Sequence, residues 1–209
     1  MMNGIETFRE LSPNKLVEDL LVIIGRDLDD FPVSQEFQEV LRLKKNENQH
    51  STAYCLFMTN SCQSRYYFCR ENAQKGSSTV DIAVYKGVHV IFVIEAKVLP
   101  TPKSTSNKIR NEYEYVYGKG AAIQRFKDLE HGLDNQNIPL ADSGVMAFIK
   151  NGSINSWYIK INQWIRDATW NDVEQIKMLT QLATSAKLIS VHTRKNGSSI
   201  RLHHFWIKV

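Results

Sequence analysis

The chain has 209 residues, 43% apolar and 23% charged, with 26 basic against 22 acidic side chains for a net charge of +4. That length suits one domain burying roughly 70% of its unfolded surface, and the composition excludes disordered and fibrous classes. The mild positive balance permits an anionic partner without requiring one, and the longest apolar runs, at 20–24 and 90–94, fall far short of the ~18 residues of a membrane span, so no membrane partner is expected.

The first residues lack the basic-then-apolar order of a signal peptide. Cys55, Cys62 and Cys69 stand seven apart, which is not zinc-ligand spacing. Free thiols in a cytoplasmic protein are the expectation.

Ser12-Pro13 opens the first element, with Ser12 as N-cap and Pro13 at the first helical position. Leu16, Val17, Leu20, Ile23 and Ile24 then recur at helical spacing. A second helix starts at Ser34 and runs into a polar loop at 44–49. The period then changes. Segments 54–58 and 65–69 read as strands, followed by strands at 79–85 and 89–98 joined at Lys86-Gly87. The last of these is nearly continuously apolar and β-branched, as a central strand covered on both faces would be. Pro100 and Pro102 end it, and 103–111 is a polar segment.

Helical spacing returns with Ala122, Ile123, Phe126 and Leu129, stopped at Gly132. A short apolar strand spans 144–150, and Trp157, Ile161, Trp164 and Ile165 mark another helix. A further helix is expected over 171–182. Asn196-Gly197 is a hairpin signal between strands at 188–194 and 199–208. The order predicts an α/β fold, a mixed central β-sheet flanked by helices. A single domain over 1–209 is expected, its core at roughly 12–150 and a helical and hairpin extension at 151–209.

One constellation carries chemistry. Asp81 sits between Val80 and Ile82, and fourteen positions on, Glu95-Ala96-Lys97 follows the apolar run at 90–94. Buried acids in such strands are costly unless paired or metal-bound. Glu95 and Lys97 are two apart and share a strand face, and a hairpin over Lys86-Gly87 brings Asp81 beside Glu95. Converging carboxylate oxygens suit Mg²⁺, with Mn²⁺ able to substitute. A divalent cation with an adjacent lysine fits phosphodiester hydrolysis: the cation polarises the phosphoryl group and activates water, and the lysine offsets developing charge. Glu95-x-Lys97 is the only acid-x-Lys in the chain.

Asp81 with Glu95-Ala96-Lys97 resembles the signature of the PD-(D/E)xK nucleases of the restriction-endonuclease-like superfamily. The resemblance covers roughly residues 12–150, and Val80 stands where a proline usually precedes the first acid. It implies a restriction-endonuclease-like core and a Mg²⁺-dependent endonuclease acting on DNA, with Asp81, Glu95 and the Ala96 carbonyl at the metal and Lys97 assisting the water. It also implies a first-helix metal ligand, for which Glu18 is the candidate with Glu71 as a second, and a polar residue on the following helix, Gln124. Restriction or another anti-invader defence is the implied context, with DNA repair competing.

From Lys97 to Lys127 there are seven basic residues and two acids, a local +5 interleaved with Tyr113, Tyr115 and Tyr117. Lys119, Arg125 and Lys127 are the candidate contacts to a phosphate backbone, and Gly118-Lys119-Gly120 is either a phosphate seat or a tight turn. His192, His203, His204 and Trp157, Trp164, Trp206 read as ordinary strand and core residues. No helicase motif or phosphate-binding G-x-x-x-x-G-K-[ST] loop is present, so a homodimer or a partner subunit is expected. The alternatives are a non-catalytic nucleic-acid- or protein-binding module of the same fold, and a metal-dependent phosphatase, which would want more His and Asp ligands.

Overall fold

The computed structural model describes residues 13–43, 47–63, 65–74, 76, 78–101, 112–118 and 120–209. Seven strands form one mixed sheet: β1 (Tyr67–Ala73), β2 (Thr79–Lys86), β3 (His89–Leu99), β4 (Asp142–Ile149), β5 (Lys177–Gln181), β6 (Ser185–Thr193) and β7 (Ser199–Lys208). Their spatial order is β1-β2-β3-β4-β7-β6-β5. β1, β2 and β3 form an antiparallel meander; β4 runs parallel to both β3 and β7, and β7-β6-β5 is antiparallel again. The segment after residue 150 therefore continues the central sheet, with β7 hydrogen-bonded along the whole of β4.

The helices α1 (Pro13–Asp27), α2 (Gln35–Arg42) and α3 (Glu47–Ser61) supply the core of one face, with Leu20, Ile24, Phe37, Tyr54 and Met58 packed on Ile82, Val84, Phe92, Ile94 and Phe148. The short α4 (Ala122–Lys127) and α5 (Ile154–Asp167) cover the other, where Ile123, Phe126, Ile161 and Ile165 meet Ala83, Val93, Val145, Leu202 and Trp206. Local signals set several ends. The Ser34 hydroxyl accepts from Phe37 N–H, capping α2. Ser153 and Ser156 exchange hydrogen bonds in a capping box at α5. No helix among the described residues is long and apolar enough to cross a membrane.

Two sequence expectations are corrected. Residues 54–58 lie within α3, not in a strand: His50, Tyr54, Met58 and Cys62 are buried at a spacing of four, which is a helical stripe. The expected helix over 171–182 is a 3-10 turn (Asp172–Glu174) followed by edge strand β5. Ladder pairing to β6, from Lys177↔Ile189 to Gln181↔Ala186, takes the segment up at the sheet edge instead. The tyrosine segment holds a 3-10 turn (Glu112–Tyr115), with Tyr113 and Tyr117 stacked at 4.5 Å.

Candidate active site

The β2–β3 hairpin puts Asp81 and Glu95 on neighbouring strands. Its register runs from Lys86↔His89 to Ile82↔Ile94, with a bulge at Val84/Tyr85. Asp81 and Glu95 are the next positions beyond that paired stretch. The Asp81 carboxylate (Oδ2) accepts the backbone N–H of Ala96 at 2.7 Å, so it is held against β3 by the chain itself. Glu95 and Lys97 share the face of Val93 and Leu99, which is the face covered by α4 and α5.

Glu95 is 2% exposed and surrounded by donors. Lys97 Nζ donates to Oε1 at 2.9 Å, and Arg125 Nη1 reaches the same oxygen at 3.4 Å. His131 Nδ1 lies 3.2 Å from Oε2. Burial works to raise the Glu95 carboxyl; Lys97 and His131 outweigh it and hold the group at about 2. Glu95 is therefore ionised at neutral pH, the form a metal ligand requires. Hard carboxylate oxygens from Asp81 and Glu95 fit Mg²⁺ or Mn²⁺ in donor chemistry. Among the described residues no group of three or more His, Cys, Asp or Glu side chains gathers as a metal site.

His131 is the residue that sequence reading missed. It is fully buried, edge-on to Phe126, and follows α4 in Glu130-His131-Gly132. Its only signal was a histidine beside a glycine at a helix end, which no motif marks.

The other candidates disperse. Glu18, on α1, belongs to the opposite face: it is exposed, pairs with Lys15, and lines a groove of about 350 Å³ with Asp142 and Arg201. It is not brought to Asp81 and Glu95, because α1 packs on the Ile82/Ile94 side of the sheet. Glu71, on β1 between the pairs Arg70↔Ile82 and Asn72↔Val80, is exposed and paired with Arg70. Gln124 donates to Asp128 at 3.1 Å, one turn along its own segment. Arg125 reaches Glu95 and also Glu130, the latter at 3.5 Å. Lys127 points away from the site, bound by both Glu174 oxygens at 2.6 Å and lying 4.1 Å over the Trp170 ring. It is 15% exposed, which is not the posture of a solvated phosphate contact. Lys119, with Lys103, Lys108 and Arg110, lies outside the described residues. At the start of α4, Ala121 N–H bonds Gly118 O and Gln124 N–H bonds Val116 O.

The histidines and tryptophans read as ordinary are buried but not inert. Trp206, Tyr115, His204, Ser190, His192 and Glu174 form a polar seam on the same sheet face. Cys55, Cys62 and Cys69 are free thiols.

Comparison with known proteins found no matching family model, no matching curated protein and no matching solved structure.

Proposed function

We propose that the chain is a divalent-metal-dependent nuclease that hydrolyses phosphodiester bonds of DNA at Asp81, Glu95 and Lys97, on a restriction-endonuclease-like core. What supports the reading is that Asp81 and Glu95 lie just past the paired stretch of the β2–β3 hairpin, with Asp81 accepting from Ala96 N–H and Lys97 bound to Glu95. The chain order supports it too: a helical layer, an antiparallel three-strand meander, a short helix, then a strand parallel to the third.

Asp81 and Glu95 would hold Mg²⁺ or Mn²⁺, which supplies charge stabilisation and a more acidic water. The chain's own groups do the rest. Asp81, fixed by Ala96 N–H, keeps its carboxylate at the end of the hairpin. Lys97 keeps an ammonium beside Glu95, placed to orient water and to offset charge on the phosphoryl oxygens. Arg125 makes the longest of the three contacts to Glu95, and a substrate phosphate would draw its guanidinium away with little loss. A homodimer or a partner subunit would extend the DNA contact, and defence against invading DNA or DNA repair is the context in which such an enzyme serves.

A second reading, a nucleic-acid- or protein-binding module without catalysis, draws on the closure of Glu95 by Lys97, Arg125 and His131. The test is a cleavage assay with Mg²⁺ and Mn²⁺ on plasmid, linear duplex, single-stranded DNA and RNA, with Asp81→Ala and Lys97→Ala as controls. Cleavage lost in both variants supports the nuclease. DNA binding without cleavage under any metal supports the module, and cleavage unchanged in both variants overturns the site.

A further inference from the structure

The polar seam reaches α4 from the side opposite Glu95. Trp206 Nε1 donates to the Tyr115 hydroxyl at 2.9 Å, and that hydroxyl lies 2.8 Å from His204 Nδ1. Ser190 Oγ is 2.7 Å from both His204 Nε2 and His192 Nε2. His192 Nδ1 faces Glu174 Oε2 at 3.9 Å, an electrostatic contact. Glu174 in turn accepts Lys127 Nζ and the Thr193 N–H. Tyr115, Ser190, His192, His204, Trp206 and Glu174 are all buried.

The two ends fix the direction of every bond between them. An indole N–H only donates, so the Tyr115 oxygen accepts and its proton must go to His204 Nδ1. His204, neutral, then carries its proton on Nε2 and donates to Ser190. Ser190 spends its one proton on His192 Nε2, which leaves the His192 proton on Nδ1, facing the Glu174 carboxylate. The reverse polarity would bury an unpaired tyrosine hydroxyl proton at one end and turn a bare imidazole lone pair toward a carboxylate at the other. Burial pushes both imidazoles downward in pKa, in keeping with neutral rings, although Glu174 pulls His192 the other way.

α4 has only six residues, and one ion pair ties each side of it to the rest of the fold: Arg125 to Glu95 and Lys127 to Glu174. We infer that the seam is a polarised hydrogen-bond chain that orients Glu174, and that Glu174, through Lys127, is a positioning residue holding α4 and Arg125 against Glu95. This goes beyond the nuclease reading and does not need it.

The test has two parts on the full chain at pH 7. Histidine ¹⁵N–¹H correlation spectra should show His204 as the Nε2–H tautomer and His192 as the Nδ1–H tautomer. The opposite assignment for either ring, or a protonated ring, overturns the chain. Amide hydrogen exchange then reads the positioning. In Lys127→Met, protection of the Gln124 and Arg125 amides should fall at least tenfold while β2 and β3 amides keep theirs, and Lys127→Arg should restore it. Unchanged α4 protection in Lys127→Met overturns the positioning role, as does a loss shared equally by β2 and β3. Ser190→Ala removes only the central hydroxyl. It should shift the His192 and His204 ring nitrogen signals together, and a shift in neither would also overturn the chain.

Discussion

Replacing Glu95 by glutamine removes a buried charge that Lys97 and Arg125 donate to and that His131 lies beside. The carboxyl moves from 4.5 to about 2 on folding, which corresponds to about 3 kcal/mol in favour of the charged form. Glu95 is 2% exposed, so solvent screening does not erode this as it would at a surface pair. Breaking one partner out of a buried ionic cluster costs about 3–5 kcal/mol by independent measure. Glu95→Gln should therefore lower stability at pH 7 by about 3 kcal/mol, read by urea denaturation. For a chain of this size the melting temperature should fall by about 6–12 °C. The sign with pH follows from the lowered carboxyl. The stabilisation is complete above 4.5 and is lost as pH falls through about 2, so the difference between wild type and variant should shrink steadily below pH 4.5. A variant as stable as wild type at pH 7, or more so, would refute the claim that Lys97, Arg125 and His131 compensate Glu95.

Acid should weaken the fold through its buried histidines. Burial, with Lys150 adding, pushes His50 from 6.5 down to about 4. The unfolded chain then takes up protons first as pH falls below 6.5, and at pH 5 this ring alone costs about 2 kcal/mol; His50→Phe should flatten that part of the pH–stability curve. Thiol labelling of the native protein should be fast at one cysteine only. Cys69 is exposed, whereas burial pushes Cys55 up to about 12 and Cys62 up to about 11, and two or three fast thiols would contradict the packing of α3. Gly144→Ala should cost about 1–3 kcal/mol by overpacking, because a Cβ there would meet Ile94 at 2.9 Å and Phe92 at 3.0 Å; a neutral result would mean β4 stands farther from β3.

Much of the fold was legible because local signals agreed with tertiary need. Ser34 capping, the Lys86-Gly87 and Asn196-Gly197 turns, and the apolar run of β3 each appear where the sequence pattern puts them. α3 was misread because its aromatic and cysteine content suggests a strand. Its four-residue burial spacing shows only when His50 and Cys62, at the margins, are counted. The strand period placed Glu95 and Lys97 on one face, where they pair, and the hairpin signal put Asp81 on the neighbouring strand. Glu18 could not be placed from sequence, since a helical wheel gives the outward face of α1 but not which sheet face α1 covers. His131 and the seam were invisible for another reason. Their partners lie 36 residues apart for Glu95–His131 and 89 for Tyr115–His204, and the latter joins a 3-10 turn to β7 through tertiary packing alone. Of the seven basic residues in the +5 stretch, Lys103, Lys108, Arg110 and Lys119 lie outside the described residues. Lys97, Arg125 and Lys127 are spent on Glu95 and Glu174 rather than displayed.

The most direct measurement is single-turnover cleavage of a labelled DNA duplex by the purified chain with Mg²⁺, compared with Lys97→Met and with an EDTA control. Lys97→Met keeps the length of the side chain and removes the ammonium beside Glu95. The nuclease reading expects metal-dependent cleavage by the wild type, abolished by EDTA and lowered at least a hundredfold in Lys97→Met, a loss of the size usual for general acid–base and charge-stabilising groups. Cleavage that survives EDTA, or that proceeds at the wild-type rate in Lys97→Met, would contradict it.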